Sequence, residues 1–155
     1  MENRIISYLT FKIGLETFAV NVENIQNIIE FPTLTKVPEM PSFIIGGTDL
    51  RGVVLPVVDS RIKFGITETP ITPKTCIIVL EMAIEDIETK VGLLVDEVSE
   101  VLEIVNEDIK EPPSVGSKFK SDIITGVFPL ENRFIMLLDI RKVVASEELL
   151  NIREL

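Results

Sequence analysis

The sequence predicts a mainly β protein built from two similar small barrels. Apolar and polar residues alternate at a period of two in short runs, which is typical of strands with one buried face. The second half of the chain repeats the order of the first, and no long helical segment intervenes to cross over a parallel sheet. Short strands at this spacing favour small barrels.

The first half contains strands around one predicted helix. Alternation over Ile5–Ile13 predicts a strand, and a turn at Gly14–Thr17 leads into a returning strand over Thr17–Val20. Apolar residues then recur at spacings of three and four, which predicts a helix over Val22–Ile29 with Asn21 as its cap. The remaining predicted elements are strands at Phe43–Asp49 and Val53–Val58, then a proline-bounded connector at Gly65–Pro73 that we take as the boundary between the halves.

The second half restarts the same order. The predicted elements are strands at Lys74–Met82 and Lys90–Val95, a loop at Asn106–Phe119, strands at Ile123–Phe128 and Arg133–Leu138, and a terminal helix capped by Ser146. Val95, Val98, Val101 and Leu102 fit a helix or, because valine is β-branched, a strand.

An internal repeat relates the two halves at two offsets. An offset of 80 aligns Ile44, Gly46, Leu50, Asp59 and Arg61 with Ile124, Gly126, Leu130, Asp139 and Arg141. An offset of 73 aligns Val20, Val22, Ile25, Ile28 and Ile29 with Leu93, Val95, Val98, Val101 and Leu102. The order of these matches favours two similar β-subdomains over chance.

Composition excludes most catalytic chemistry. The 155 residues include no histidine and one cysteine, Cys76, so His-based nucleophilic catalysis and nearly all zinc sites are excluded. A net charge of −10 disfavours nucleic acid and anionic membrane surfaces as partners. No apolar stretch approaches the roughly 18 residues of a spanning helix. We therefore expect a cytoplasmic, non-enzymatic protein without cofactor or metal.

The segment Phe43–Phe64 resembles the CheW family of bacterial chemotaxis coupling proteins. Its Leu50-Arg51-Gly52 is followed by apolar residues, Pro56, two further apolar residues and Asp59, as in the family pattern. The resemblance extends over nearly the whole chain, through Thr17–Val20, Val22–Ile29, Val37-Pro38, Val91–Asp96 and Ser146–Glu148.

This resemblance implies one CheW-like domain over 1–155 made of two five-stranded SH3-like barrels. We expect one barrel from about 14–70 plus the C-terminal segment and the other from 71–145, with the pairing of strand 5–13 and the barrel order left open. It also implies a scaffold that couples the cytoplasmic hairpin tip of chemoreceptors to the regulatory domain of the histidine kinase CheA. Other CheW copies in array rings are further implied partners.

The resemblance assigns two sets of partner-binding residues. Leu9, Val22, Ile25, Ile28 and Val98 match positions that line an apolar receptor groove between the barrels. The alternative is that all five are core residues, as a stripe at this spacing usually is. Asn27, Leu50, Arg51 and Gly52 match the partner surface or its support. Asn27 replaces a glutamate of many family members, so a charge-assisted bond to Arg51 is lost, while Gly52 also suits a tight turn.

Asp59 and Asp139 stand at equivalent places in the repeat, each two residues before an arginine. Residues doubled by duplication more often cap a turn or helix than catalyse, so we interpret both as structural. Two alternatives remain open. One is a carboxylate-dependent hydrolase that uses these acids; the other is an adaptor of the same fold in a non-chemotactic two-component system.

Overall fold

The computed structural model describes residues 4–32, 44–50, 52–63, 70–112 and 123–144. The strands of these ranges are β1 (Ile5–Ile13), β2 (Glu16–Asn21), β3 (Ile25–Glu30), β4 (Ile44–Leu50), β5 (Val53–Asp59), β6 (Cys76–Ile84), β7 (Ile87–Val95), β8 (Glu97–Val105), β9 (Ile124–Leu130) and β10 (Arg133–Leu138). Two short α-helices follow β5 and β10, namely α1 (Ser60–Lys63) and α2 (Ile140–Val144). None of the described helices is long and apolar enough to cross a membrane.

The strands form two five-stranded sheets. Sheet A has the order β8-β1-β2-β10-β9, and sheet B has the order β3-β6-β7-β5-β4. The pairs β2–β10 and β5–β7 are parallel, and the other pairs are antiparallel. The predicted mainly β, SH3-like class is confirmed, as two sheets whose described hydrogen bonds leave them open rather than closed into barrels.

The two halves of the chain exchange strands. Sheet A takes β1 and β2 from the first half and β8, β9 and β10 from the second, whereas sheet B is formed by the continuous segment β3–β7. The predicted division into 14–70 and 71–145 is therefore wrong. The chain passes to the other sheet after β2 and again after β7, so the proline-bounded connector joins two parts of sheet B. Strand β1, whose pairing the sequence left open, lies between β2 and β8.

Three apolar cores follow from the period-two alternation of side chains across a strand. Phe18 and Val20 of β2 belong to a large core shared by both sheets. Ala19 belongs to a separate cluster on the opposite face of sheet A, which we call the interior of that sheet, and sheet B has its own interior cluster. In β6, Ile78 enters the shared core and Ile77 enters the interior of sheet B. We call the shared cluster the central core; it includes Leu9, Phe11, Ile13, Phe18, Val20, Ile78, Leu80, Leu93, Val95, Met136 and Leu138.

The predicted helix over Val22–Ile29 is wrong. Only Val22–Asn24 of this segment is helical, as a single 3-10 turn. The Asn21 side chain caps the turn by accepting the backbone N–H of Glu23. Ile25–Glu30 is strand β3. Val98 and Val101, for which helix and strand were both open, lie on strand β8. The predicted helix at Ser146 lies outside the described residues.

Candidate functional site

The edge strand β3 turns two apolar side chains toward the central core. Ile25 lies opposite Leu80 and Ile28 lies opposite Ile78, and both partners belong to that core. A register shift between Ile25 and Asn27 inserts one extra residue into β3. Directly opposed residues share a face of a sheet, so the bulge gives Ile25 and Ile28 the same face at a spacing of three.

The edge strand β8 of the other sheet has the same arrangement. Val98 lies opposite Phe11 and Val101 lies opposite Leu9, again with a register shift between the two pairs. Phe11 and Leu9 are members of the central core. Val98 and Val101 are thus the counterparts of Ile25 and Ile28 that the offset of 73 identifies. We call these four residues, Ile25, Ile28, Val98 and Val101, the seam residues.

The seam residues differ in how much of each side chain is exposed to solvent. Ile25 and Val98 are half-buried and pack against the central core. Ile28 is 44% exposed and Val101 is 56% exposed. The inner members therefore lie against the central core, and the outer ones present apolar surface to solvent beside it.

The two sheets meet at the start of β8. Val98 and Cys76, the first residue of β6, both pack against the central core. Burial raises the pKa of the Cys76 thiol, and the backbone of Val98 beside the sulfur offsets part of the effect. Val98 of sheet A is thereby placed against sheet B.

The structure distributes the predicted groove residues over three environments. Leu9 is 6% exposed and lies within the central core, so it supports the surface from below. Ile25, Ile28 and Val98 are seam residues, and Val22 lies on the 3-10 turn with 38% of its surface exposed. Val101 was missed by the sequence-based assignment, although its alignment with Ile28 in the repeat was the signal that could have found it.

The second predicted surface is described in part. Gly52 occupies the β4–β5 turn with a φ of 85° and donates its backbone N–H to Oδ1 of Asp49 at 3.0 Å. Asn27 is half-buried and lies opposite Val79, so it faces the interior of sheet B, away from the seam. Arg51 and the side chain of Leu50 lie outside the described residues, and the relation of Asn27 to Arg51 stays a prediction.

The two aspartates of the repeat bond to the backbone that follows them. Asp59 Oδ1 accepts the backbone N–H and the Nε–H of Arg61, both at 2.9 Å, and Asp59 Oδ2 lies 2.9 Å from Arg61 Nη2. Asp139 Oδ1 accepts the backbone N–H groups of Arg141 at 3.0 Å and Lys142 at 3.4 Å. The two carboxylates thus lie where strands of different sheets end, and they hold the start of α1 and α2. In the described ranges, no cluster of three or more His, Cys, Asp or Glu could hold a metal ion.

Comparison with known proteins identifies the family. A family model described as a CheW-like domain matches residues 7–148. The chain belongs to the CheW family. The chemotaxis protein CheW of Klebsiella aerogenes is 33% identical over 92% of this chain and 83% of its own, and that of Rhizobium meliloti is 34% identical over 90% and 88%. The crystal structure of the scaffolding protein TtCheW from Thermoanaerobacter tengcongensis superposes with a TM-score of 0.83 at 25% identity, covering 95% of this chain and 92% of that one.

Membership of the CheW family decides between the open alternatives. CheW proteins are non-enzymatic adaptors of chemotaxis that couple receptors to the kinase CheA, and this chain is such an adaptor rather than a hydrolase. The bonding of Asp59 and Asp139 agrees with that assignment, because Asp59 is occupied by a two-pronged contact with Arg61.

Proposed function

We propose that this CheW-family chain couples receptor to kinase through two separate surfaces. The seam residues, with Leu9 beneath them and Val22 beside them, receive the helical hairpin tip of a chemoreceptor. The β4–β5 turn with Leu50, Arg51 and Gly52 contacts the regulatory domain of CheA, and Asn27 supports it. The protein then lies in the cytoplasm at receptor arrays, held there by its partners and by neighbouring CheW copies in rings.

The observation that carries the receptor surface is the pairing of exposed with buried apolar residues at the seam. Ile28 and Val101 expose about half of their surface on the face of the sheets that also forms the central core. An amphipathic helix binds a groove by burying apolar residues at spacings of three and four. The bulged edge strands offer apolar residues for such a helix without any change of the fold.

Strand β3 supports the separation of the two surfaces. Its bulge leaves Ile28 on the central-core side and Asn27 on the sheet B side. One strand can therefore contribute to receptor binding and kinase binding through opposite faces. Substitutions on one face should then affect one partner and spare the other.

Titration calorimetry with two variants tests this separation. We expect Ile28→Glu to weaken binding of a receptor cytoplasmic fragment by about tenfold or more, since a charge would enter an apolar contact, and to leave binding of the CheA regulatory domain unchanged. We expect Arg51→Glu to do the reverse. Because Ile28 is 44% exposed, its substitution should leave the fold intact.

Ile87→Glu is the matched control for the receptor surface. Ile87 is 50% exposed at the β6–β7 turn opposite Ile84, six residues along β6 from the Ile78 that faces Ile28, or about 20 Å. It should bind both partners as the unmodified protein does. Equal loss of receptor binding in Ile87→Glu and Ile28→Glu, or full receptor binding by Ile28→Glu, would refute the assignment of the seam.

A further inference from the structure

A buried ion-pair network lies where the chain crosses from sheet B to sheet A. Arg61 of α1 makes a two-pronged contact with Asp59, and its Nη1 lies 3.8 Å from Oδ1 of Asp96. The side chains of Arg61 and Asp59 are 7% and 3% exposed. Asp96 is the single residue between β7 and β8.

Sheet A holds Asp96 from the other side. Oδ2 of Asp96 accepts the backbone N–H of Gly14 in the β1–β2 turn at 2.6 Å, and the N–H of Asp96 donates to the carbonyl of Lys12 at 3.0 Å. The carboxylate therefore links α1 of one sheet to the first hairpin of the other. The hydrogen bond that this carboxylate accepts from Gly14 is charge-assisted, which is one of the stronger kinds, and its contact with Arg61 is an ion pair at 3.8 Å.

The fixed residue lies two positions before Val98. Val98 packs on the central core, and its backbone lies beside the Cys76 thiol. The contacts of Asp96 and the packing of Val98 beside Cys76 thus fix the chain on either side of Glu97, where β8 begins. The position of the inner seam residue of β8 follows from that path.

The equivalent crossover after β2 lacks this network in the described residues. Asn21 accepts the N–H of Glu23 two residues later, which is a local bond on an exposed turn. Arg141, the counterpart of Arg61 in the repeat, is exposed. Both Asp-x-Arg sequences of the repeat are present, and within the described residues it is the one at Asp59 that takes part in an inter-sheet contact.

We propose that Arg61 is a positioning residue for receptor binding, which acts through Asp96 to hold Val98 in place before the receptor docks. Rigid placement of a contact residue lowers the entropy lost on binding. The other wall of the groove, with Val22 and Ile25, enters from the locally bonded crossover and can adjust to the receptor helix. This inference rests on the proposed receptor role of the seam and adds the residue that organises it.

Asp96→Asn is the test variant, because replacing Arg61 by a neutral residue would leave Asp59 as a buried unpaired carboxylate. Asparagine keeps an oxygen for the Gly14 N–H and removes the charge that attracts Arg61. Hydrogen exchange of the Val98 amide in the free protein should become about tenfold faster. Receptor affinity should fall about threefold to tenfold, with affinity for the CheA regulatory domain unchanged.

Two further variants make the test specific. Arg61→Lys keeps the positive charge but loses the planar fork, so its Val98 exchange rate should lie between those of the unmodified protein and Asp96→Asn. Arg141→Gln, the matched change in the other half, should alter neither exchange nor affinity. Unchanged Val98 exchange in Asp96→Asn would overturn the inference whatever the receptor does, since this measurement needs no partner. Faster exchange with full receptor affinity would overturn the link to binding, while Ile28→Glu separately tests the receptor surface itself.

Discussion

At the scale of single residues, glycine is required on strand β9 and in the β4–β5 turn, for different reasons. A Cβ at Gly126 would overlap Cγ2 of Ile109 and would lie 3.1 Å from the carbonyl oxygen of Lys110. The approach is close because Lys110 and Val127 exchange backbone hydrogen bonds of 2.8 and 2.9 Å. These bonds pair Lys110 with the edge strand β9. A Cβ at Gly52 would meet nothing within 4 Å, but its φ of 85° disfavours any other residue.

We expect the two alanine substitutions to differ in cost. Gly52→Ala should lower the free energy of unfolding by about 1 kcal/mol, which is the backbone cost of a positive φ. Gly126→Ala should lower it by about 3 kcal/mol, because the Lys110 backbone must move and its bonds to Val127 weaken. Urea unfolding followed by circular dichroism measures both values. A Gly52 loss equal to or larger than the Gly126 loss would contradict this explanation.

The role of a single residue could be predicted from the sequence where that role depends on its immediate neighbours in the chain. The tight turn at Gly52 and the capping role considered for Asp59 were readable because both are properties of a few consecutive residues. The contact of Arg61 with Asp96 joins residues 35 positions apart in the sequence (96 − 61 = 35). The need for glycine at position 126 arises from the close approach of Ile109 and Lys110. Packing between distant segments decides such roles, and no short pattern records it.

At the scale of elements, the β6–β7 hairpin carries two neighbouring carboxylates on one face. Glu81 lies opposite Lys90, with a Glu81 Oε2 to Lys90 Nζ distance of 3.8 Å, and Glu88 lies opposite Ala83. A side-chain hydrogen bond with Glu88 is the largest cause of a raised Glu81 pKa, followed by burial and by the charge of Glu88, while Lys90 opposes the shift. Glu81 therefore holds a proton more readily in the folded hairpin than in the unfolded chain.

The sign of the resulting pH dependence follows from linkage. A carboxyl whose folded pKa is raised binds its proton more tightly when folded, so it favours the folded state at low pH and loses this contribution as pH rises above its ordinary value of 4.5. We expect Glu88→Gln to flatten the fall in melting temperature as the pH rises above about 4.5. Glu85→Gln, which removes the same charge at the nearby turn, is the control. Identical pH profiles for the two variants would contradict a specific role of the Glu81–Glu88 pair.

The bulged strand β3 explains why the sequence was misread as a helix. Apolar residues at 22, 25 and 28 have the spacing of one helical face. The structure reaches the same spacing with a 3-10 turn and a strand that contains one extra residue. Periodicity identified correctly which residues share a face, and it failed to identify the backbone, since both conformations give a spacing of three over so short a segment.

At the scale of the whole molecule, the repeat predicted two equivalent units but not how their strands pair. Both halves carry five strands in the same order, and the offsets of 80 and 73 relate equivalent residues. Equivalence leaves open whether β1–β5 form one sheet or exchange partners with β6–β10, because either choice satisfies the alternation of every strand. The exchange lets β2 and β7 each lead directly into the other sheet, and it joins both halves in the central core.

Strand exchange predicts that neither half of the chain folds alone. A fragment of residues 1–68 would contain β1 and β2 of sheet A, with β3 and the β4–β5 hairpin of sheet B separated by the missing β6 and β7. A fragment of residues 69–155 would leave β8 without β1, its neighbour in sheet A. We expect each fragment to give poorly dispersed amide signals by NMR, and an equimolar mixture to recover the spectrum of the intact protein, because two-stranded pieces are marginal in water.

A fragment of residues 22–96, intermediate in length between the two halves, is the control. It carries all five strands of sheet B and the complete interior cluster of Leu55, Val57, Ile77, Val79 and Leu94. It should retain more strand structure than residues 1–68, although it exposes its half of the central core and should associate or aggregate as a result. A folded, monomeric fragment 1–68, together with an unfolded fragment 22–96, would show that the halves rather than the sheets are the units of folding and would refute the exchanged arrangement.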